Sequence, residues 1–145
     1  MCTLRFLIAT AMIGVAMAGA NPATAQTPGS ILEGVYTEEQ AARGSDLYRA
    51  NCARCHGPGM QGDGLGMVPA IGGGEFYNRW GKETLGSTLR FVNTFMPFDQ
   101  AGTLDPQTYA DALAYVLKFS GYPAGNNELI PDVATYLATR VEPRP

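Results

Sequence analysis

A chain of 145 residues is at most one small domain with appendages. Ten Lys and Arg against thirteen Asp and Glu give a net charge of −3, an acidic balance that argues against nucleic acid and against anionic lipid as partners. Beyond the first stretch, no hydrophobic run is long enough to cross a bilayer.

Residues 1–25 read as a secretory signal peptide. Arg5 supplies the positive start, Phe6 to Ala18 is a run of apolar and small residues broken only by Thr10, and Ala23-Thr24-Ala25 is an A-x-A cleavage site. The run is too short and wrongly flanked for a spanning helix. Cys2 lies too far from any cleavage point for a lipoprotein anchor. Cleavage near Ala25 leaves about 120 residues, a net charge of −4, and Cys52 and Cys55 as the only cysteines. The leader lacks the Arg- and Ser-rich amphipathic character of a transit peptide, so a bacterial periplasm is the expected compartment.

Residues 26–36 form an extended lead-in, Gly/Pro/Ser-rich and then weakly apolar. Thr37 with Gln40 three residues on predicts a capping box, and Glu38 and Glu39 favour the positive end of a helix dipole. The helix predicted from Glu38 to about Ala53 carries Ala41, Gly44, Leu47, Tyr48 and Asn51 on one face. Gly44 costs helix stability, which implies that another helix comes close there.

At the end of that helix stands Cys52-Ala53-Arg54-Cys55-His56, the attachment pattern of a c-type haem. Each thiol forms a thioether with one haem vinyl group, and the adjacent imidazole reaches under the porphyrin to the iron. The competing readings are weaker. Structural zinc wants four nitrogen or sulfur ligands, and outside the motif the chain offers no other histidine and only Cys2. A thioredoxin-like pair follows a strand, whereas the residues before Cys52 read as helix. A redox or disulfide pair takes the remainder.

Gly57 to Gly74 is a glycine-rich loop with Pro58 and Pro69. It lacks the strand and the spacing of a phosphate cradle and reads as chain wrapped around a planar group. Phe76, Tyr77, Arg79 and Trp80 follow, and Thr84 caps a helix to about Asn93 with Leu85, Leu89 and Val92 in register. Pro97 requires an extended Met96. Asp105 caps a helix that starts at Pro106, presents Tyr109, Leu113, Val116 and Leu117, with Tyr115 close beside them, and stops at Gly121. One short helix is expected within Pro131 to Thr139, and no segment alternates long enough to build a sheet. The domain runs over 37–122, with 123–145 a C-terminal extension.

With a single histidine, the sixth iron ligand must be methionine, lysine, tyrosine or nothing. Met60 is tethered to the same face as His56, and Met67 is a runner-up. Met96 has a helix-length excursion before it and is held out of helix by Pro97, so it is the preferred metal ligand beside His56. The Pro69 carbonyl is the candidate acceptor for the other His56 nitrogen. Arg79, Tyr77 and Trp80 are candidate donors to the haem propionates, and Trp80 serves equally well as ordinary core.

From Thr37 to Gly121 the sequence resembles a class I cytochrome c. Gly44 and Tyr48 precede Cys52 at the spacing of that family's amino-terminal helix, and Tyr115 in Leu113-Ala114-Tyr115-Val116 matches the aromatic that packs on the glycine. Val68-Pro69-Ala70-Ile71-Gly72 resembles the segment whose proline carbonyl receives the histidine proton. Met96-Pro97 resembles the axial methionine segment. Gly34 to Thr37, Arg79-Trp80-Gly81 and Gly121 to Gly125 look more specifically like small cytochromes that serve periplasmic quinoprotein dehydrogenases. The resemblance implies an all-α cytochrome c fold of three to five helices and long loops around one covalent haem c. It implies a one-electron carrier and not an enzyme, taking electrons from a dehydrogenase and passing them to an oxidase or another cytochrome. The alternatives are a haem subunit of a dehydrogenase complex, or a peroxidase or gas sensor if Met96 is displaced. With only Lys82 and Lys118 among its lysines, the chain lacks the basic ring of mitochondrial-type carriers.

Overall fold

The computed structural model describes residues 27–144, so the signal-peptide reading of residues 1–25 lies outside the described residues. Thr37 opens the first helix, its Oγ1 accepting the Gln40 N–H (3.1 Å) at the head of α1 (Glu38–Asn51). The return half of the expected capping box is not made. Gln40 is fully buried, and its amide serves the backbone of Leu129 instead: Nε2 donates to the Leu129 carbonyl (2.8 Å) and Oε1 accepts the Leu129 N–H (2.7 Å). A buried peptide with no regular partner costs more than an unfinished cap, so the side chain goes there.

α1 stops at Asn51, two residues earlier than its pattern suggests. Cys52 takes φ −116° and ψ −38°, and a single turn, α2 (Ala53–His56), follows before Gly57 turns the chain at φ +78°. The next helix, α3 (Gly74–Trp80), was not legible in the sequence; Phe76 buries in the core, and the Gly73 N–H donates to Ser120 Oγ (3.1 Å). Thr84 caps α4 (Leu85–Phe95) by accepting the Ser87 N–H (3.1 Å), and Met96 is extended just past its end (φ −114°, ψ 153°). Asp105 caps α5 (Pro106–Phe119), accepting the Gln107 N–H (2.9 Å), with Pro106 in the first turn. Gly121 (φ +80°) ends it, and the Tyr122 N–H returns to the Leu117 carbonyl (3.0 Å).

α1 and α5 cross at Gly44, where an added Cβ would overlap the Asp111 carbonyl and press on Tyr115 Cβ (3.1 Å). One turn along, the Tyr48 and Tyr115 rings meet with centroids 5.6 Å apart. Beside the crossing, Asp111 accepts from Gln40 Nε2 (2.9 Å), Gln107 Nε2 (2.8 Å) and Arg43 Nε (3.2 Å), and is buried with its partners made.

Residues after Gly121 are laid back over the molecule. Leu129, Tyr136 and Val141 join the core, and the helix expected within Pro131 to Thr139 is only a 3₁₀ turn at Ala134–Tyr136. The Arg140 N–H donates to the Gly29 carbonyl (2.9 Å), the Ile31 N–H to the Arg140 carbonyl (3.0 Å), and the Leu85 N–H to the Thr139 carbonyl (2.9 Å). These isolated bridges are the nearest approach to β-structure among the described residues, which are otherwise helix and loop.

Candidate functional site

The helices enclose a cavity of about 450 Å³, a size suited to a small organic group. The end of α1 and all of α2 bring Cys52, Cys55 and His56 to it, and the glycine-rich loop brings Met67, Val68, Pro69 and Ile71. α3 contributes Phe76, Arg79 and Trp80; α4 contributes Thr88, Phe91 and Val92; the next residues contribute Met96, Pro97 and Phe98. Ala112, Leu113 and Val116 of α5 complete the lining. Its walls are aromatic and aliphatic, with a few polar groups at named places, as a flat apolar group requires.

The one-turn α2 sets the spacing of the three chemical groups. Cys55 and His56 both donate backbone N–H bonds to the Cys52 carbonyl (3.1 and 3.0 Å), which draws both thiols and the imidazole into one turn. Both thiols are free. Burial pushes the Cys52 thiol up to about 11, opposed by Arg54 and assisted by Cys55. The neutral thiol therefore predominates at neutral pH. No cluster of three or more His, Cys, Asp or Glu that could hold a metal ion occurs among the described residues, so a zinc site finds no donor set.

His56 Nδ1 lies 2.9 Å from the Pro69 carbonyl. A carbonyl only accepts, so Nδ1 carries the proton and Nε2 is left as the basic nitrogen, the state an iron ligand needs. The loop that delivers Pro69 is held by Asp63. Its carboxylate accepts the N–H groups of Leu65 (2.9 Å), Gly66 (3.0 Å) and Val68 (3.0 Å), and these bonds hold it below the usual carboxylate range.

Met96 reaches the cavity from its extended position, whereas Met60 is 1 % exposed in the core and does not line the cavity. Met67 also lines the cavity yet stands 86 % exposed. Arg79 sits 5.2 Å from the centroids of both Trp80 and Phe91, a cation over two aromatic faces at the cavity wall. Tyr77 does not accompany them; it borders a separate hollow with Lys82, Glu83 and Arg140. Phe91 was not singled out in the sequence, although its spacing from Thr88 puts both on one face of α4. Asp99 was also missed: it pairs with Arg54 and so ties the segment after Met96 to the turn that carries the thiols.

The residues present fit a haem. Two unpaired thiols, an imidazole with its tautomer fixed and a methionine thioether converge on one apolar cavity, with a guanidinium at its wall. The match to a family model agrees. The family model described as "Cytochrome C oxidase, cbb3-type, subunit III" matches residues 39–116. A thiosulfate dehydrogenase of Psychrobacter arcticus is 31 % identical over 83 residues, a match covering 54 % of this chain and 25 % of that protein. The chain thus spans about a quarter of the length of that curated relative. The sulfane dehydrogenase SoxCD from Paracoccus pantotrophus aligns in structure with a TM-score of 0.44 at 25 % identity, over 63 % of this chain and 52 % of that one.

Proposed function

The chain belongs to the cytochrome c domain family described as cytochrome c oxidase, cbb3-type, subunit III, which binds haem c, and on that premise we propose that it is a periplasmic one-electron carrier. Haem c, when bound, supplies an iron that gains and loses a single electron. Cys52 and Cys55 would hold the group by thioether bonds, and His56 Nε2 and Met96 Sδ would ligate its iron. With both side chains bound, no site would be left open for oxygen or peroxide, and the methionine would raise the potential. The Pro69 carbonyl keeps the imidazole in the ligating tautomer, and Arg79, with Trp80 beside it, would answer the propionates.

The observation that carries this reading is the His56–Pro69 bond on the same cavity as an extended Met96. The test is Met96→Ala in the haem-loaded protein. Haem should remain covalently attached, the weak iron–sulfur charge-transfer band should vanish and the potential should fall; an unchanged potential refutes the ligand assignment.

The proposed donor is a dehydrogenase and the proposed acceptor an oxidase or another cytochrome. Partners would dock at the cavity mouth, where the lining residues Met67 and Phe98 are each more than 85 % exposed, through the small interface usual for transient electron transfer. No helix of the described residues is long and apolar enough to cross a membrane. A second reading, a haem subunit within a dehydrogenase complex, draws on the similarity to a thiosulfate dehydrogenase four times the matched length. Gel filtration of the native protein separates the two: a monomer supports the free carrier, and co-elution with a larger dehydrogenase supports the subunit.

A further inference from the structure

The backbone carbonyl of Met96 is held by two donors from further along the chain. The Gly102 N–H reaches it at 3.3 Å and the Tyr109 hydroxyl donates to it at 2.7 Å. Tyr109 is fixed in turn. It lies in the first turns of α5, only 4 % exposed, and its hydroxyl oxygen accepts the Leu104 N–H (3.2 Å). One buried phenol therefore joins the start of α5 to the backbone of the residue that offers a thioether to the cavity.

A phenylalanine would fill the same apolar space, and a buried hydroxyl is costly unless paired, so the group is explained by its two bonds rather than by packing. The bond fixes the peptide plane after Met96, and with it the direction in which the side chain leaves the backbone. A ligand held in place beforehand loses less conformational freedom when it binds and is correspondingly harder to displace. We propose that Tyr109 is the positioning residue for the sixth ligand, holding Met96 in its ligating pose through the backbone carbonyl. The proposal rests on Met96 being that ligand. Tyr109 itself does not line the cavity, so it acts on the iron site only through Met96.

The experiment uses the oxidised holoprotein and imidazole as a competing ligand, followed by loss of the iron–sulfur charge-transfer band. Tyr109→Phe should keep its haem and bind imidazole roughly three- to tenfold more tightly than the wild type, the change expected from one hydrogen bond. Tyr136→Phe is the control. Its hydroxyl accepts the Ile130 N–H (3.1 Å) far along the chain from Met96, so it should lower the denaturation midpoint while leaving imidazole affinity unchanged. Wild-type affinity in Tyr109→Phe overturns the proposal, as does an equal gain in Tyr136→Phe, which would reduce the effect to general loosening. A wild-type protein without the band sinks the ligand assignment and this proposal together. A wild-type band with unshifted affinity in Tyr109→Phe sinks this proposal alone.

Discussion

Gly44 has no side chain because the backbone of α5 occupies the place where one would go. Gly44→Ala must push the helices apart at their crossing, and overpacking of that kind costs about 1–3 kcal/mol or more. The loss should appear as a lower midpoint in urea unfolding of the holoprotein. Tyr36 predicts an alkaline limit to stability. Its hydroxyl donates to the Tyr122 carbonyl (2.6 Å), and burial, with a smaller contribution from Glu38, pushes its pKa up to about 12. Between its ordinary value near 10 and about 12, the native protein keeps a proton that the unfolded chain has lost. This contribution is therefore fully present below pH 10 and is lost as the pH rises through that interval. Urea titrations at pH 8 and pH 11 check it, and Tyr36→Phe should reduce the difference, with the other buried tyrosines Tyr48, Tyr122 and Tyr136 supplying the rest. Single residues with one unusual property were the most legible: a helical glycine, a proline carbonyl without a competing N–H, a methionine before proline. Gln40 was misread because its pattern is local, whereas the partners it found, Asp111 and Leu129, are some seventy and ninety positions away.

Among the elements, α1, α4 and α5 were legible because each has a polar N-cap and an apolar stripe. α3 was not. Seven residues between glycines carry too few turns for periodicity to register, and what holds this helix is tertiary: Phe76 against Tyr122 with ring centroids 5.7 Å apart, and the Gly73 N–H bonded to Ser120 Oγ. The ion pair of Arg54 with Asp99 was equally hidden, since it joins α2 to the 3₁₀ turn Phe98–Gln100. Both side chains are about half exposed, so Asp99→Asn should cost at most about 1 kcal/mol of stability, and the difference from wild type should shrink in high salt. Denaturation at low and high ionic strength measures both.

On the scale of the whole molecule, the all-α architecture and the haem-sized cavity followed from the helix pattern and the Cys52 to His56 motif. The course of residues 123–144 did not. They carry no period, because each contact is made singly: Leu129 into the core, Thr139 and Arg140 onto the backbone of α4 and the lead-in. That segment is nonetheless structural. Leu129 is fully buried, and Leu129→Ala should cost about 2–5 kcal/mol by calorimetry of the holoprotein.

The stitching of residues 28–31 to residues 139–140 leaves neither described end of the chain free to fray. Among the described residues, protease susceptibility should therefore begin in the middle. The weak span is Gly64 to Met67, where two glycines with positive φ flank an exposed leucine and the Asp63 carboxylate supplies the bracing. Brief digestion with an enzyme that cuts after leucine should nick the folded protein there first. The two fragments should stay together and keep their colour, because the helices on either side of the cut are packed on each other.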